Sequence, residues 1–190
     1  NMDKAGLLIE GYEELNTMIT WYHYPYQKKH LEQLGFTKLA EWVEYKIKIF
    51  SAEDAPEKVK KFSKIIQKRY ELKVVNFKSK KEIIPYVDKM FELLNVTYSN
   101  LQTFVTIKQY QIDFYKEKFI KYIHPDFIKC CVDKEGSLIA FLITMPSFSR
   151  ALKKINGKMG ILSYFHLFKA QYFNDRVSLY LIGVDPKYQS

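Results

Sequence analysis

Cysteine is nearly absent from this chain: two residues in 190, Cys130 and Cys131, and they are neighbours. Adjacent residues on a strand point to opposite faces, so the pair is poorly placed to bridge. Without a disulfide framework the sequence suits a reducing compartment, and a cytoplasmic protein is expected. Histidine is scarce too. His23, His30, His124 and His166 show no metal-ligand spacing, so no metal site is expected. No apolar run approaches the length of a bilayer span and no secretory signal pattern is visible, so no membrane partner is expected. Repeats of fixed period and low-complexity tracts are lacking. The sequon Asn95-Val96-Thr97 falls on an expected helix and carries no weight.

What is present is the composition of a globular protein, 47% apolar and 27% charged. Fifteen Tyr and fourteen Phe can fill a sizeable core. Net charge is +9, which favours phosphate-bearing partners of any kind. The lysines are spread as pairs (Lys28-Lys29, Lys60-Lys61, Lys80-Lys81, Lys153-Lys154) rather than gathered into a basic arm. That pattern reads as solvated faces and argues against a nucleic-acid partner.

Along the chain, residues 7–12 read as a short strand, and 26–34 as a helix stopped by Gly35. Residues 39–50, with Val43, Tyr45, Ile47 and Ile49 alternating, read as a second strand. A small acidic linker, with Ser51 or Asp54 as a cap, precedes a helix over 56–70. Its apolar stripe is Val59, Phe62, Ile65, Ile66 and Tyr70. A strand over 72–77 follows. Ser79 and Glu82 then have the spacing of a capping box before a helix carrying Ile83, Val87, Met90 and Leu94. Another helix runs from about 108 to 123, ended by Pro125. A hairpin of 127–132 and 138–144 turns at Asp133-Lys134-Glu135-Gly136. Short helices at 147–155 and 161–173 precede Val177 to Val184, whose unbroken apolar run predicts a central strand covered on both faces.

From Leu72 the order is strand, two helices, two strands, a helical insertion and a strand. That order, together with Val184-Asp185-Pro186-Lys187-Tyr188-Gln189, resembles the first half of the GNAT superfamily of acyl-CoA-dependent N-acyltransferases. The family's cofactor loop follows its fourth strand with a Val-x-Pro-x-x-Gln/Arg pattern and then glycines; Val184, Pro186 and Gln189 match it. Tyr26 to Phe36, ending in Leu34-Gly35-Phe36, resembles the family's last helix and its turn. The resemblance implies a mixed α/β fold incomplete at its C-terminal side. Residues 1–52 would be the strand-helix-strand tail of a preceding GNAT-like domain, and 55–190 the first half of a second one, ending at the cofactor loop. It implies acetyl-CoA as donor, an amine as acceptor, no metal, and Ile182, Gly183, Val184 and Gln189 as cofactor-binding residues. The strand backbone would pair with the pantetheine arm, and loop N–H groups would cradle the pyrophosphate.

The chemistry needs a group that removes a proton from the acceptor amine. Ser178 and Tyr180 are the polar residues on the last strand, and neither is a base. Asp185 reads as a turn carboxylate, His124 as a cap, and His166 as a residue of an aromatic helix. Cys130 and Cys131 lack the His and Asp spacing of covalent catalysis. The catalytic residue is therefore unknown from sequence. The long segment Ser147 to Tyr172 lies where the family shapes its acceptor side, although it reads equally well as a packing insert. Besides the enzyme, two readings stay open: a non-catalytic GNAT-like module, and a basic nucleic-acid-binding protein.

Overall fold

The computed structural model describes residues 6–18, 20–49, 51, 53–119 and 123–189. Their elements are α1 (Pro25–Gln33), α2 (Glu57–Arg69), β1 (Lys73–Asn76), α3 (Lys80–Tyr98) and α4 (Gln109–Phe119), then β2 (Ile128–Val132), β3 (Leu138–Pro146), α5 (Ser149–Ile155), α6 (Ile161–Tyr172) and β4 (Val177–Val184). The strands form an open antiparallel sheet in the order β1-β2-β3-β4. The chain divides into two compact units: residues up to Glu41 with Thr144–Leu179, and Trp42–Ile143 with the residues from Tyr180 on.

In the second unit, one face of the sheet packs against α3 and α4. Ile83, Val87, Met90, Leu93 and Leu94 of α3 meet Ile112 of α4, and Ile128, Cys130 and Phe141 of the sheet. These α3 positions recur at three- and four-residue spacing, so one stripe of the helix is buried and the rest is wet. Burial along β2 alternates, with Ile128, Cys130 and Val132 inside. One bridge ties α3 to α4 and a second ties α3 to the segment just before α4. Lys116 Nζ donates to both oxygens of Asp88, at 3.0 and 2.9 Å. The Asn95 amide accepts from the N–H of Ile107 at 2.8 Å and donates to its carbonyl at 3.0 Å. Asn95 is thus a structural anchor, and the sequon around it is coincidental.

Local chemistry explains where several elements begin and end. Gly35 adopts φ +86° just past α1. Its N–H bonds Glu32 O at 3.0 Å, and the Phe36 N–H bonds Leu31 O at 3.1 Å, which satisfies two terminal carbonyls. Gly136 takes φ +80° in the β2–β3 turn, as that turn requires. At α3 the expected capping box is shifted. The Glu82 carboxylate reaches back past Ser79 to the N–H of Lys78 at 2.9 Å, and the Ser79 hydroxyl bonds Glu82 instead of the backbone. The cap of α2 is Pro56, while Ser51 and Asp54 bond each other ahead of it.

Three expectations are corrected. Neither 7–12 nor 39–49 joins the sheet, and Phe50 lies outside the described residues. A strand needs a neighbour for its ladder, and alternation alone does not supply one. In the first unit, residues 8–18 and 20–24 instead form a loop. The Leu8 N–H bonds His23 Nδ1 at 3.2 Å, the Tyr12 hydroxyl bonds Leu8 O at 3.2 Å, and Tyr12, Tyr22, Tyr24 and Tyr26 meet ring to ring. The third correction concerns β4, which is an edge strand with Val177, Leu179 and Ile182 exposed. The expected helix over 108–123 is described as far as Phe119; residues 120–122 lie outside the described residues, and Ile123 is not helical.

Candidate functional site: the outer edge of the last strand

The residues singled out by sequence lie at the end of β4 and in the turn after it. Asp185 donates its N–H to Ile139 O of β3 at 2.8 Å. Backbone groups on a strand alternate sides, so Gly183 and Leu181 also face β3. Ile182 and Val184 therefore face the opposite, outer edge. Their carbonyls are engaged. Tyr98 Oη donates to Ile182 O at 3.0 Å, Thr97 Oγ1 to Val184 O at 3.3 Å, and Gln189 Nε2 to Val184 O at 2.7 Å. Three of the four expected residues, Ile182, Val184 and Gln189, are thus brought to one edge. Thr97 and Tyr98, from the last turn of α3, join them there.

Gly183 has a different reason to be glycine. A Cβ on it would stand 2.5 Å from Cε1 of Phe141 and 3.2 Å from two further ring atoms. Phe141 is a core residue of β3, so the missing side chain makes room for its ring. Beyond β4 the chain turns at Asp185, whose Oδ1 accepts from the Lys187 N–H at 2.9 Å, and enters one helical turn, Pro186–Tyr188. Asp185 is therefore a cap, as its place before Pro186 suggested.

The other candidates fall into structural roles. His124 Nδ1 accepts from the Asp126 N–H at 3.4 Å, capping the turn Pro125–Phe127. His166 is half-buried on α6 beside Phe165. Burial pushes the Cys130 thiol up to about 12, and it raises the Cys131 thiol as well, so neither is a ready nucleophile. Burial also raises the Tyr180 phenol above its ordinary value. Among the described residues no group of His, Cys, Asp and Glu is placed to hold a metal ion, and no helix is long and apolar enough to cross a membrane. A groove of about 560 Å³ lies between α2 and the face of the sheet that carries Cys131, lined chiefly by Val59, Phe62, Ile66 and Leu72.

These elements define a mixed α/β protein with an open antiparallel sheet and an edge strand that ends in a Pro turn. No family model matches the chain, and no solved structure matches it. It is similar to Protein YghO of Escherichia coli (strain K12), with 22% identity over 160 residues. That alignment takes in 82% of this chain and 39% of the relative, so the chain spans well under half of that protein's length.

Proposed function

We propose that this chain contributes the donor-binding half of an acyl-CoA-dependent N-acyltransferase of GNAT type, with acetyl-CoA as donor and an amine as acceptor. The observation that carries this reading is the order β1-β2-β3-β4 with two helices between β1 and β2, and an edge strand ending in Val184-Asp185-Pro186. The outer edge of β4 fits a pantetheine arm by halves. The N–H groups of Ile182 and Val184 point outward, where they can donate to amide carbonyls. The carbonyls between them are already held by Tyr98, Thr97 and Gln189. Coenzyme A would supply the activated thioester when bound. The chain's own part is to orient that arm with the Ile182 and Val184 donors, and the +9 net charge favours an anionic ligand.

A second reading is favoured by one feature. No Asp, Glu or His lies on β4, and Tyr180, a phenol that burial shifts further from ionisation, is a proton donor rather than a base. A GNAT-like module that binds a thioester or a protein without turnover fits that lack.

Thermal melting of the full-length protein with acetyl-CoA or free CoA tests the proposal. A ligand at about a hundred times its Kd stabilises the folded state by about 2.7 kcal/mol. For a chain of this size that is a rise of about 5–10 °C in Tm. A dose-dependent rise with release of free CoA thiol on adding amines supports the enzyme. A rise without thiol release selects the silent module, and no shift at millimolar ligand removes the cofactor site.

A further inference from the structure

In the α5–α6 hairpin of the first unit, α5 buries the apolar Ala151 and Ile155, whereas α6 is built inside out. On an ordinary amphipathic helix the large apolar residues face the neighbour and the small or polar ones face water. On α6 the buried residue is Ser163, 6% exposed, while Ile161 is 90% exposed, Leu162 76% and Phe165 63%. Tyr164, Phe168 and Tyr172 are exposed as well, and they fall on the same side of the helix as Ile161 and Phe165. The inward position is fixed. Ser163 Oγ donates to Lys158 O at 2.7 Å and accepts from the Gly160 N–H at 3.1 Å, which ties the first turn of α6 to the loop before it. The outward apolar face is therefore the orientation that the hairpin itself sets. Contiguous exposed apolar surface of this kind marks a place where something docks.

Charge says what docks there. Between Glu135 and Asp175 the sequence has no acidic residue. The same stretch carries Arg150, Lys153, Lys154, Lys158 and Lys169. Arg150 pairs with Asp175 at 3.1 Å, which leaves the four lysines as the charge of the hairpin. Lys153 and Lys154 lie in the last turn of α5, Lys158 at the tip beside exposed Met159, and Lys169 on α6 next to Phe168. Aromatic and aliphatic side chains set among lysines, with no carboxylate to repel phosphate, are the features of an element that lies in a lipid interface. Tyr and Phe are suited to the boundary between headgroups and acyl chains, and lysine stems reach from there to the phosphates. A surface of this kind needs no membrane-spanning segment.

We propose that the α5–α6 hairpin docks on an anionic lipid bilayer, with Ile161, Leu162, Phe165 and Phe168 entering the interface and Lys153, Lys154, Lys158 and Lys169 contacting headgroup phosphates. The site shares no residue with the β4 edge and does not depend on the acyltransferase reading.

Sedimentation of the full-length protein with vesicles tests it, using phosphatidylcholine alone and phosphatidylcholine mixed with phosphatidylglycerol. Binding is expected on the mixed vesicles at low salt, falling as salt rises. Lys158→Ala should weaken that binding about fivefold. Ile161→Ser combined with Phe165→Ser should weaken it more than about tenfold. Both variants alter exposed side chains, and an unchanged circular dichroism melt checks that they fold. Failure to bind anionic vesicles at low salt overturns the proposal, as does equal, salt-insensitive binding to both vesicle types. Binding unchanged by both variants overturns it too. Self-association in the analytical ultracentrifuge that the Ile161 and Phe165 changes abolish, without any vesicle binding, would assign the face to a second copy instead.

Discussion

Gly183→Ala is the sharpest single perturbation of the β4 site. The added methyl carbon would sit 2.5 Å from Cε1 and 3.2 Å from Cδ1 and Cζ of Phe141. Carbon atoms rest at about 3.5–4.0 Å, so the closest contact is short by about an ångström or more. The ring has little freedom to yield. Phe141 is buried in the main core and stands opposite Cys130 in the β2–β3 register. Overpacking of this kind costs about 1–3 kcal/mol. For a chain of this length about 2 kcal/mol lowers Tm by about 4–8 °C. The assay is a thermal or urea melt of Gly183→Ala, Phe141→Leu and the double variant. Phe141→Leu alone destabilises by creating a cavity. In the double variant the methyl partly fills that space, so the two effects should fall short of additive by about 0.5–3 kcal/mol. Wild-type stability for Gly183→Ala, or strict additivity in the double variant, would refute the packing account. A loss of acetyl-CoA affinity with unchanged stability would show instead that the glycine serves the ligand.

Two further predictions concern the bridges from α3 to α4 and to the segment before it. Asn95→Ala leaves the N–H and carbonyl of buried Ile107 without their partner and should cost about 1–3 kcal/mol in urea unfolding. Asn95→Gln should not restore the loss, because the amide is displaced by a methylene. The hydrogen bond from Lys116 chiefly holds the Asp88 carboxyl below its ordinary value. A carboxylate depressed in the folded state contributes stability that is full above its unfolded pKa, about 3.9. That contribution is lost as pH falls through the lower folded value. Both side chains are partly exposed, so solvent screening limits the pair to at most about 1 kcal/mol. Melts of Lys116→Ala and the parent protein should therefore differ by that small amount at pH 7 and converge in strong acid. A difference that persists there would assign the effect to packing of the lysine stem.

Much of the architecture was legible because it is written in local chemistry. Gly35 and Gly136 mark positions that need positive φ. The stripe Ile83, Val87, Met90, Leu94 identifies the inner face of α3; Asp185, read as a turn carboxylate, caps the turn Pro186–Tyr188, and His124, read as a cap at a helix end, caps the turn that follows it. The failures share one physical cause. Alternation at Val43, Tyr45, Ile47 and Ile49 states what a segment is suited to pair with, and the described structure gives it no neighbouring strand. Likewise the apolar run of β4 is compatible with a covered central strand or with an edge, and which applies depends on elements far away in sequence. The hydroxyls that occupy the outer carbonyls of β4 come from Thr97 and Tyr98, more than eighty positions away. Nothing in the local pattern of either segment announces that meeting. The sequon at Asn95 carries no weight, and the amide is spent on Ile107. α6 was legible as a helix, but its sequence assigned no inward face; Ser163 is the buried residue and the aromatic residues turn outward.

The carbonyls engaged along β4 also bear on how the molecule behaves in a crowd. An uncovered strand edge invites another chain to extend the sheet, and such growth is a route to aggregation. A newcomer must both give and receive hydrogen bonds along the whole edge. Here the side chains of Thr97, Tyr98 and Gln189 answer the acceptors at Ile182 and Val184, and the Pro186 turn ends the run just beyond them. An arriving strand would have to break those bonds before its own N–H groups found partners, so this end of the edge resists polymerisation. Removing the three side-chain donors together would leave a bare edge, and the cost would appear as lost solubility before any loss of fold.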